Sequence, residues 1–81
     1  MPATVEVHLF AAARAAVGHS VLEVGPGGLA DILGRLEADY PDFSAVRPRC
    51  SFLLDGTAVH DEGVPVGAGS RVDVLPPFSG G

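Results

Sequence analysis

The sequence predicts an α+β domain, a mixed sheet of four to five strands with one main helix packed across one face. Three observations predict it. Residues 4–10 and 70–75 alternate apolar and polar, the two-residue period of a half-buried strand. Residues 29–40 carry the only sustained helical spacing, with Leu29, Ile32, Leu33, Leu36 and Tyr40 on one stripe. The segments follow the order strand, strand, helix, strand, short strand, strand.

Size and composition set the frame. The 81 residues are enough for one modest core, and 47% hydrophobic against 19% charged residues argues against disorder. No apolar run approaches the roughly 20 residues that span a bilayer, so no membrane role is expected. Met1-Pro2-Ala3-Thr4-Val5-Glu6 lacks a basic leader region, which makes the cytoplasm the expected location. The net charge of −5 disfavours nucleic acid and suits a basic protein partner. All five basic residues are arginines (Arg14, Arg35, Arg47, Arg49 and Arg71), so the chain has no ε-amine. The single cysteine, Cys50, excludes an internal disulfide and lies in an apolar run, where a buried small hydrophobe is expected.

In chain order, the first strand places Val5, Val7 and Leu9 on one face and Thr4, Glu6, His8 and Phe10 on the other. Phe10 is a large aromatic on an otherwise polar face. The alanine-rich residues 11–17 form one or two helical turns, stopped by Gly18. A second strand over 19–24 pairs with the first as a hairpin, and Gly25-Pro26-Gly27-Gly28 is a turn. In the main helix Gly28 is the expected N-cap, and Gly34 is expected to be offset by close packing on the sheet. Tyr40-Pro41 ends the helix. Residues 42–49 connect, with Phe43 and Val46 tucked under the core. Residues 50–54 read as a central strand buried on both faces. Asp55-Gly56 signals a tight turn into a short strand at 57–60. Val64 and Val66 pin a loop over 61–69. The last strand points Val72 and Val74 inward and Arg71, Asp73 and Leu75 outward.

This order is that of the β-grasp, or ubiquitin-like, fold, in which the first and last strands are parallel neighbours. Phe10 and Leu75 then lie together at one end, an exposed apolar patch suited to docking. The β-grasp domain is expected over 1–75 and a flexible tail over 76–81. Pro76-Pro77 stops the ladder, and Phe78 to Gly81 can reach about 13 Å at roughly 3.3 Å per residue. Gly80 and Gly81 lack a Cβ, so the terminal carbonyl carbon is unshielded and can enter a narrow channel.

No catalytic constellation accompanies the tail. His8, His19 and His60 are scattered with no third ligand beside them, so no metal site is expected. Ser79 has no evident base. The glycines at 25–28 fit no phosphate-loop spacing, and no bound cofactor is expected. The exposed Gly-Gly carboxylate is the one chemically suggestive feature.

Leu9-Phe10-Ala11-Ala12-Ala13-Arg14 and Val72-Asp73-Val74-Leu75-Pro76-Pro77-Phe78-Ser79-Gly80-Gly81 resemble the MoaD/ThiS family of ubiquitin-like sulfur carriers. The proline pair and the length are most like its MoaD branch, the small subunits of molybdopterin synthase. The resemblance implies that an adenylating enzyme (MoeB-like) spends ATP to activate the Gly81 carboxylate. A sulfur donor of the cysteine desulfurase or rhodanese type then converts it to a thiocarboxylate. The tail enters a large subunit (MoaE-like) in a heterotetrameric synthase, and the sulfur goes to cyclic pyranopterin monophosphate to build the dithiolene of molybdopterin. By the same resemblance Gly81 and Gly80 form the reactive end. Phe10, Val59, Leu75, Pro76, Pro77, Phe78 and Ser79 contact partners. The alternatives are a carrier feeding thiamin thiazole, cysteine or tRNA thiolation, and a β-grasp interaction module that is never activated.

Overall fold

The computed structural model describes residues 3–77. Strand β1 (Val5–Leu9) is followed by α1 (Ala11–Val17), β2 (Val21–Val24), β3 (Gly27–Gly28) and α2 (Leu29–Asp39). A short helix α3 (Phe43–Val46), a 3₁₀ turn (Arg47–Arg49), β4 (Ser51–Leu54), β5 (Thr57–Val59), β6 (Pro65–Val66) and β7 (Arg71–Leu75) complete the order.

Five strands form one sheet in the order β2-β1-β7-β4-β5. β1 runs parallel to β7, with Val7 opposite Val72 and Leu9 opposite Val74. β2 and β4 flank this pair antiparallel. Val5, Val7, Leu9, Val72 and Val74 are buried, and together with Leu29, Ile32, Leu33 and Leu36 of α2 and Phe43 they make one core. The alternation in β1 and β7 and the stripe of α2 therefore meet as the periodicities require. A mixed sheet with a helix across it is the β-grasp arrangement.

The turns follow from backbone chemistry. Gly18 ends α1 at φ +85°, a left-handed conformation natural to glycine, and its N–H donates to the Arg14 carbonyl at 2.7 Å. Asp55 and Gly56 both have positive φ, the two-residue hairpin turn that the sequence signals.

Four local expectations are corrected. Gly27–Gly28 is not simply a turn: it pairs antiparallel with Pro65–Val66 in a second, two-stranded sheet. That pairing closes the start of α2, where Gly28 offers no side-chain cap. The Leu29 and Ala30 N–H groups instead donate to the Val64 and Glu62 carbonyls at 2.9 and 2.8 Å. The connector is itself helical, anchored by the fully buried Phe43 and by Arg47, which pairs with both Glu37 and Glu62. The central strand is β7, not β4; β4 lies one strand from the edge and buries only Phe52 fully.

The fourth correction concerns Gly34. A Cβ built there meets nothing within 4 Å, so no close approach to the sheet explains the glycine. Gly34→Ala is therefore expected to stabilise the domain by about 0.5–1 kcal/mol through helix propensity and reduced unfolded-state entropy. Urea denaturation at constant m-value checks it; a loss of stability would show that the position does not accept a side chain. In the same assay Phe43→Ala should cost about 3–5 kcal/mol, because no other side chain fills that part of the core.

Candidate functional site

Cross-strand partners share a face, so the register sorts every sheet residue. On the helix side one row runs Leu9, Val74, Phe52, Val59. On the opposite, outer side one row crosses all five strands: Val21, His8, Asp73, Leu53, Ala58. Next to it, at the end where β7 leaves the sheet, lie Phe10, Leu75 and Ser51. At the far end lie Glu23, Glu6 and Arg71. The outer face is thus graded, apolar at the tail end and along both flanks and ionic at the other.

Phe10 is 37% exposed and Val21 44%, the two exposed large hydrophobics of the described residues. The Phe10 N–H donates to the Val74 carbonyl at 3.3 Å, which fixes Phe10 beside Leu75. The next residue, Ala11, has φ +49°, so the chain bends into α1 through a left-handed residue directly after Phe10. Such a conformation costs a non-glycine residue on the order of 1 kcal/mol. It turns the chain off the sheet at once and leaves the Phe10 ring on its surface.

The structure brings together two of the three body residues expected to contact a partner. Phe10 and Leu75 share the outer face. Val59 does not: it ends the row on the helix side and packs, half-buried, against the core. Its exposed neighbour Ala58 takes the outer position, opposite Leu53. The two-residue Asp55-Gly56 turn carries that signal, because it pairs Leu54 with Thr57 and so fixes the parity of β5. Val21 and Leu53 are further apolar members of this face that the sequence reading missed. Pro76 is buried and Pro77 exposed. Phe78, Ser79, Gly80 and Gly81 lie outside the described residues.

The ionic end has its own order. Asp73 points to the outer face as expected, yet it is 8% exposed, walled by its register neighbours His8 and Leu53. Its carboxylate accepts from Arg71 Nε at 2.7 Å, so the buried charge is paired. His8 Nε2 lies 2.9 Å from Glu6 Oε1. The Thr4 hydroxyl donates to Glu23 at 2.9 Å.

Cys50 is half-buried, and its thiol donates to the Val46 carbonyl at 3.3 Å. Burial pushes its pKa up from the ordinary thiol value, so at neutral pH it is the thiol and a weak nucleophile. Among the described residues no three His, Cys, Asp or Glu side chains gather as a metal site. No helix among them is long and apolar enough to cross a membrane.

The fold class is thus the β-grasp of the ubiquitin-like proteins, with an apolar outer face leading to the C-terminal strand. The family model described as the ThiS family matches residues 7–81, and the chain belongs to that family. Its fold is that of the ubiquitin-like sulfur carriers. No curated protein matches the chain. Among solved structures it resembles small archaeal modifier protein 1 (SAMP1) of Methanosarcina acetivorans, at 28% identity and TM-score 0.78 over 100% of this chain and 99% of that one. It also resembles a putative molybdopterin converting factor, subunit 1, of Pyrococcus furiosus, at 19% identity and TM-score 0.82 over 93% and 98%. A third likeness is to a complex of subunits 1 and 2 of the molybdopterin-converting factor of Helicobacter pylori, at 18% identity and TM-score 0.74 over 96% and 99%. The last two likenesses are of fold alone.

Because the raised thiol pKa leaves little thiolate, Cys50 should be alkylated by iodoacetamide at pH 7 more slowly in the native protein than in the urea-unfolded chain. The gap should narrow as pH rises through the native pKa. Equal rates at neutral pH would mean that the thiol is neither shielded nor shifted.

Proposed function

We propose that this chain is the sulfur-carrying small subunit of a molybdopterin synthase. The observation that carries the reading is a conjunction. In a member of the ThiS family, Pro76 and Pro77 leave the central strand at the apolar end of the outer face, and Phe78-Ser79-Gly80-Gly81 follow them in the sequence. The likeness to subunit 1 of two molybdopterin converting factors, one of them in complex with a subunit 2, supports a large-subunit partner.

In this reading the body docks and the tail reacts. Phe10, Leu75, Leu53 and Ala58 settle on an apolar surface of the large subunit, a MoaE-like protein. Pro76 and Pro77 aim residues 78–81 into its active site. A MoeB-like enzyme first transfers AMP from ATP to the Gly81 carboxylate, releasing pyrophosphate. That replaces a resonance-stabilised carboxylate oxygen with a good leaving group. A persulfide sulfur attacks the acyl carbon, AMP departs, and reduction of the resulting acyl disulfide by a thiol leaves the thiocarboxylate. Its sulfur is anionic at neutral pH and therefore nucleophilic towards cyclic pyranopterin monophosphate. The carrier supplies a positioned nucleophile, and its partners supply the acid–base groups. Gly80 and Gly81 keep the approach to the acyl carbon free of side chains.

A second reading rests on the likeness to SAMP1, a protein named as a modifier. There the activated Gly81 acyl group would pass to an amine of another protein. One experiment separates the two. The chain is incubated with ATP, a sulfur donor and a cognate activating enzyme, and intact-protein mass spectrometry follows Gly81. Replacement of one oxygen by sulfur is expected, followed by its loss when large subunit and cyclic pyranopterin monophosphate are added. Deleting Gly81 should abolish both steps. Conjugates with other proteins, with no turnover of the pterin, would favour the modifier. An unchanged mass under conditions that activate a known carrier would leave only an interaction module.

Docking is tested on the body. Phe10→Arg should weaken binding to the large subunit by about 2 kcal/mol or more, roughly thirtyfold, and leave the fold intact. Ala58→Arg should act in the same direction. Val59→Ala should cost about 1 kcal/mol of stability and leave docking affinity unchanged. Calorimetry with each variant checks the set, and a Val59 effect on affinity alone would reverse the assignment of faces.

A further inference from the structure

An ionisable cluster lies within the outer face rather than outside it. His8 precedes Phe10 by two residues on the same side of β1, about 7 Å along the strand. It shares its row with Val21, Asp73 and Leu53. A partner that covers Phe10, Leu75 and Leu53 therefore reaches this imidazole as well. The groups around it come from three strands. From β1 itself, Glu6 Oε1 lies 2.9 Å from His8 Nε2. From β2 come the apolar Val21, directly opposite His8, and Glu23, opposite Glu6. From β7 come Asp73, directly opposite His8, and Arg71, opposite Glu6. Leu53 of β4, next in the row, carries no charge.

The cluster holds three carboxylates and one permanent cation. Arg71 donates to Asp73 at 2.7 Å and is committed to that buried carboxylate. Glu23 accepts from the neutral Thr4 hydroxyl. Among the described residues the Glu6 side chain bonds to His8 alone. An Nε2–H can donate to Glu6 in either charge state of the ring, but only the imidazolium cancels the carboxylate's charge. Histidine is the side chain that ordinarily changes charge near neutral pH.

Two opposing effects decide which charge state a docked partner selects. Loss of water disfavours the imidazolium, and it also strengthens the pairing with Glu6. The exposures decide between them: the His8 side chain is 19% exposed and Glu6 57%. The fold has already taken most of the water from the imidazole, so covering it removes little more. Glu6 has more hydration to lose and more to gain from a cation beside it. We propose that docking on the outer face is coupled to uptake of a proton by His8, the partner binding the form in which the imidazolium is paired with Glu6. The inference rests on the reading of this face as the docking surface. Its sign follows from linkage: a complex that holds more protons than its free components tightens as pH falls and loosens as pH rises. Release of the carrier from its partner is thereby tied to the charge of one ring.

The test is calorimetry of the full-length chain with a MoaE-like large subunit between pH 6 and 8, each pH in two buffers of different ionisation enthalpy. Net uptake of up to about one proton is expected, with affinity about threefold to tenfold higher at pH 6 than at pH 8. His8→Gln keeps a side-chain donor for Glu6 but does not titrate, and should abolish the uptake and flatten the pH dependence. Glu6→Gln should reduce both. His19→Gln is the control and should preserve both, because the His19 ring packs edge-on to Tyr40 with centroids 6.2 Å apart, away from the row. An affinity independent of pH overturns the proposal, and so does net proton release or an uptake that survives His8→Gln. The docking reading fails separately. Binding that ignores Phe10→Arg sinks the docking face and the coupling with it. Binding that depends on Phe10 and not on pH sinks only the coupling.

Discussion

The parallel pairing of β1 with β7 is the constraint on which the rest depends. It sets Val7 beside Val72 and Leu9 beside Val74, four residues with at most 1% exposure, at the centre of the sheet. Parallel neighbours need a long crossover, and here everything from α1 to β6 supplies it. The same pairing decides where the tail starts. Because the two strands run together, both end at one edge, and the exit of β7 falls beside Phe10. An antiparallel pairing would have sent the tail out at the ionic end, next to Glu6 and Glu23.

The two faces of that pair do different work. Inward residues meet α2 and hold the fold. Outward residues leave a surface that no helix among the described residues covers, with its apolar part at the exit. The buried Asp73 shows how closely this face is packed. A carboxylate at its centre is tolerable because Arg71 donates to it, and their hydrogen bond replaces the water that His8 and Leu53 exclude. Removing Arg71 alone would strand a buried charge, so the pair acts as one unit.

Much of this was legible in the sequence, and for identifiable reasons. Alternation fixed the inward sets of β1 and β7, helical spacing fixed α2, and Asp55-Gly56 fixed the hairpin. Each is a strong local signal that agrees with the tertiary answer. The missed features depend on partners distant in sequence. A two-glycine strand pairing with Pro65–Val66 has no period to read. The helix over Phe43–Val46 is a single turn, too short for propensity to announce, and holds through Phe43 in the core and Arg47 between two glutamates. Burial of Asp73 depends on what its neighbours cover, which no pattern of its own strand encodes.

Val59 and Ala58 show the difference between resemblance and register. A resemblance transfers roles by position along the chain, and a shift of one residue passes unnoticed there. On a sheet the same shift moves a side chain to the opposite face. The physical argument is stricter. Phe52 must face α2, because it pairs with Val74, which pairs with Leu9. The tight turn then forces Val59 inward with Phe52, and Ala58 outward with Leu53. Ala58 is exposed while Val59 packs on the core, as that parity demands. A small residue at this outer position keeps the flank of the face flat beside Leu53. The shape of this outer face is therefore set in part by the turn chemistry of two residues, Asp55 and Gly56.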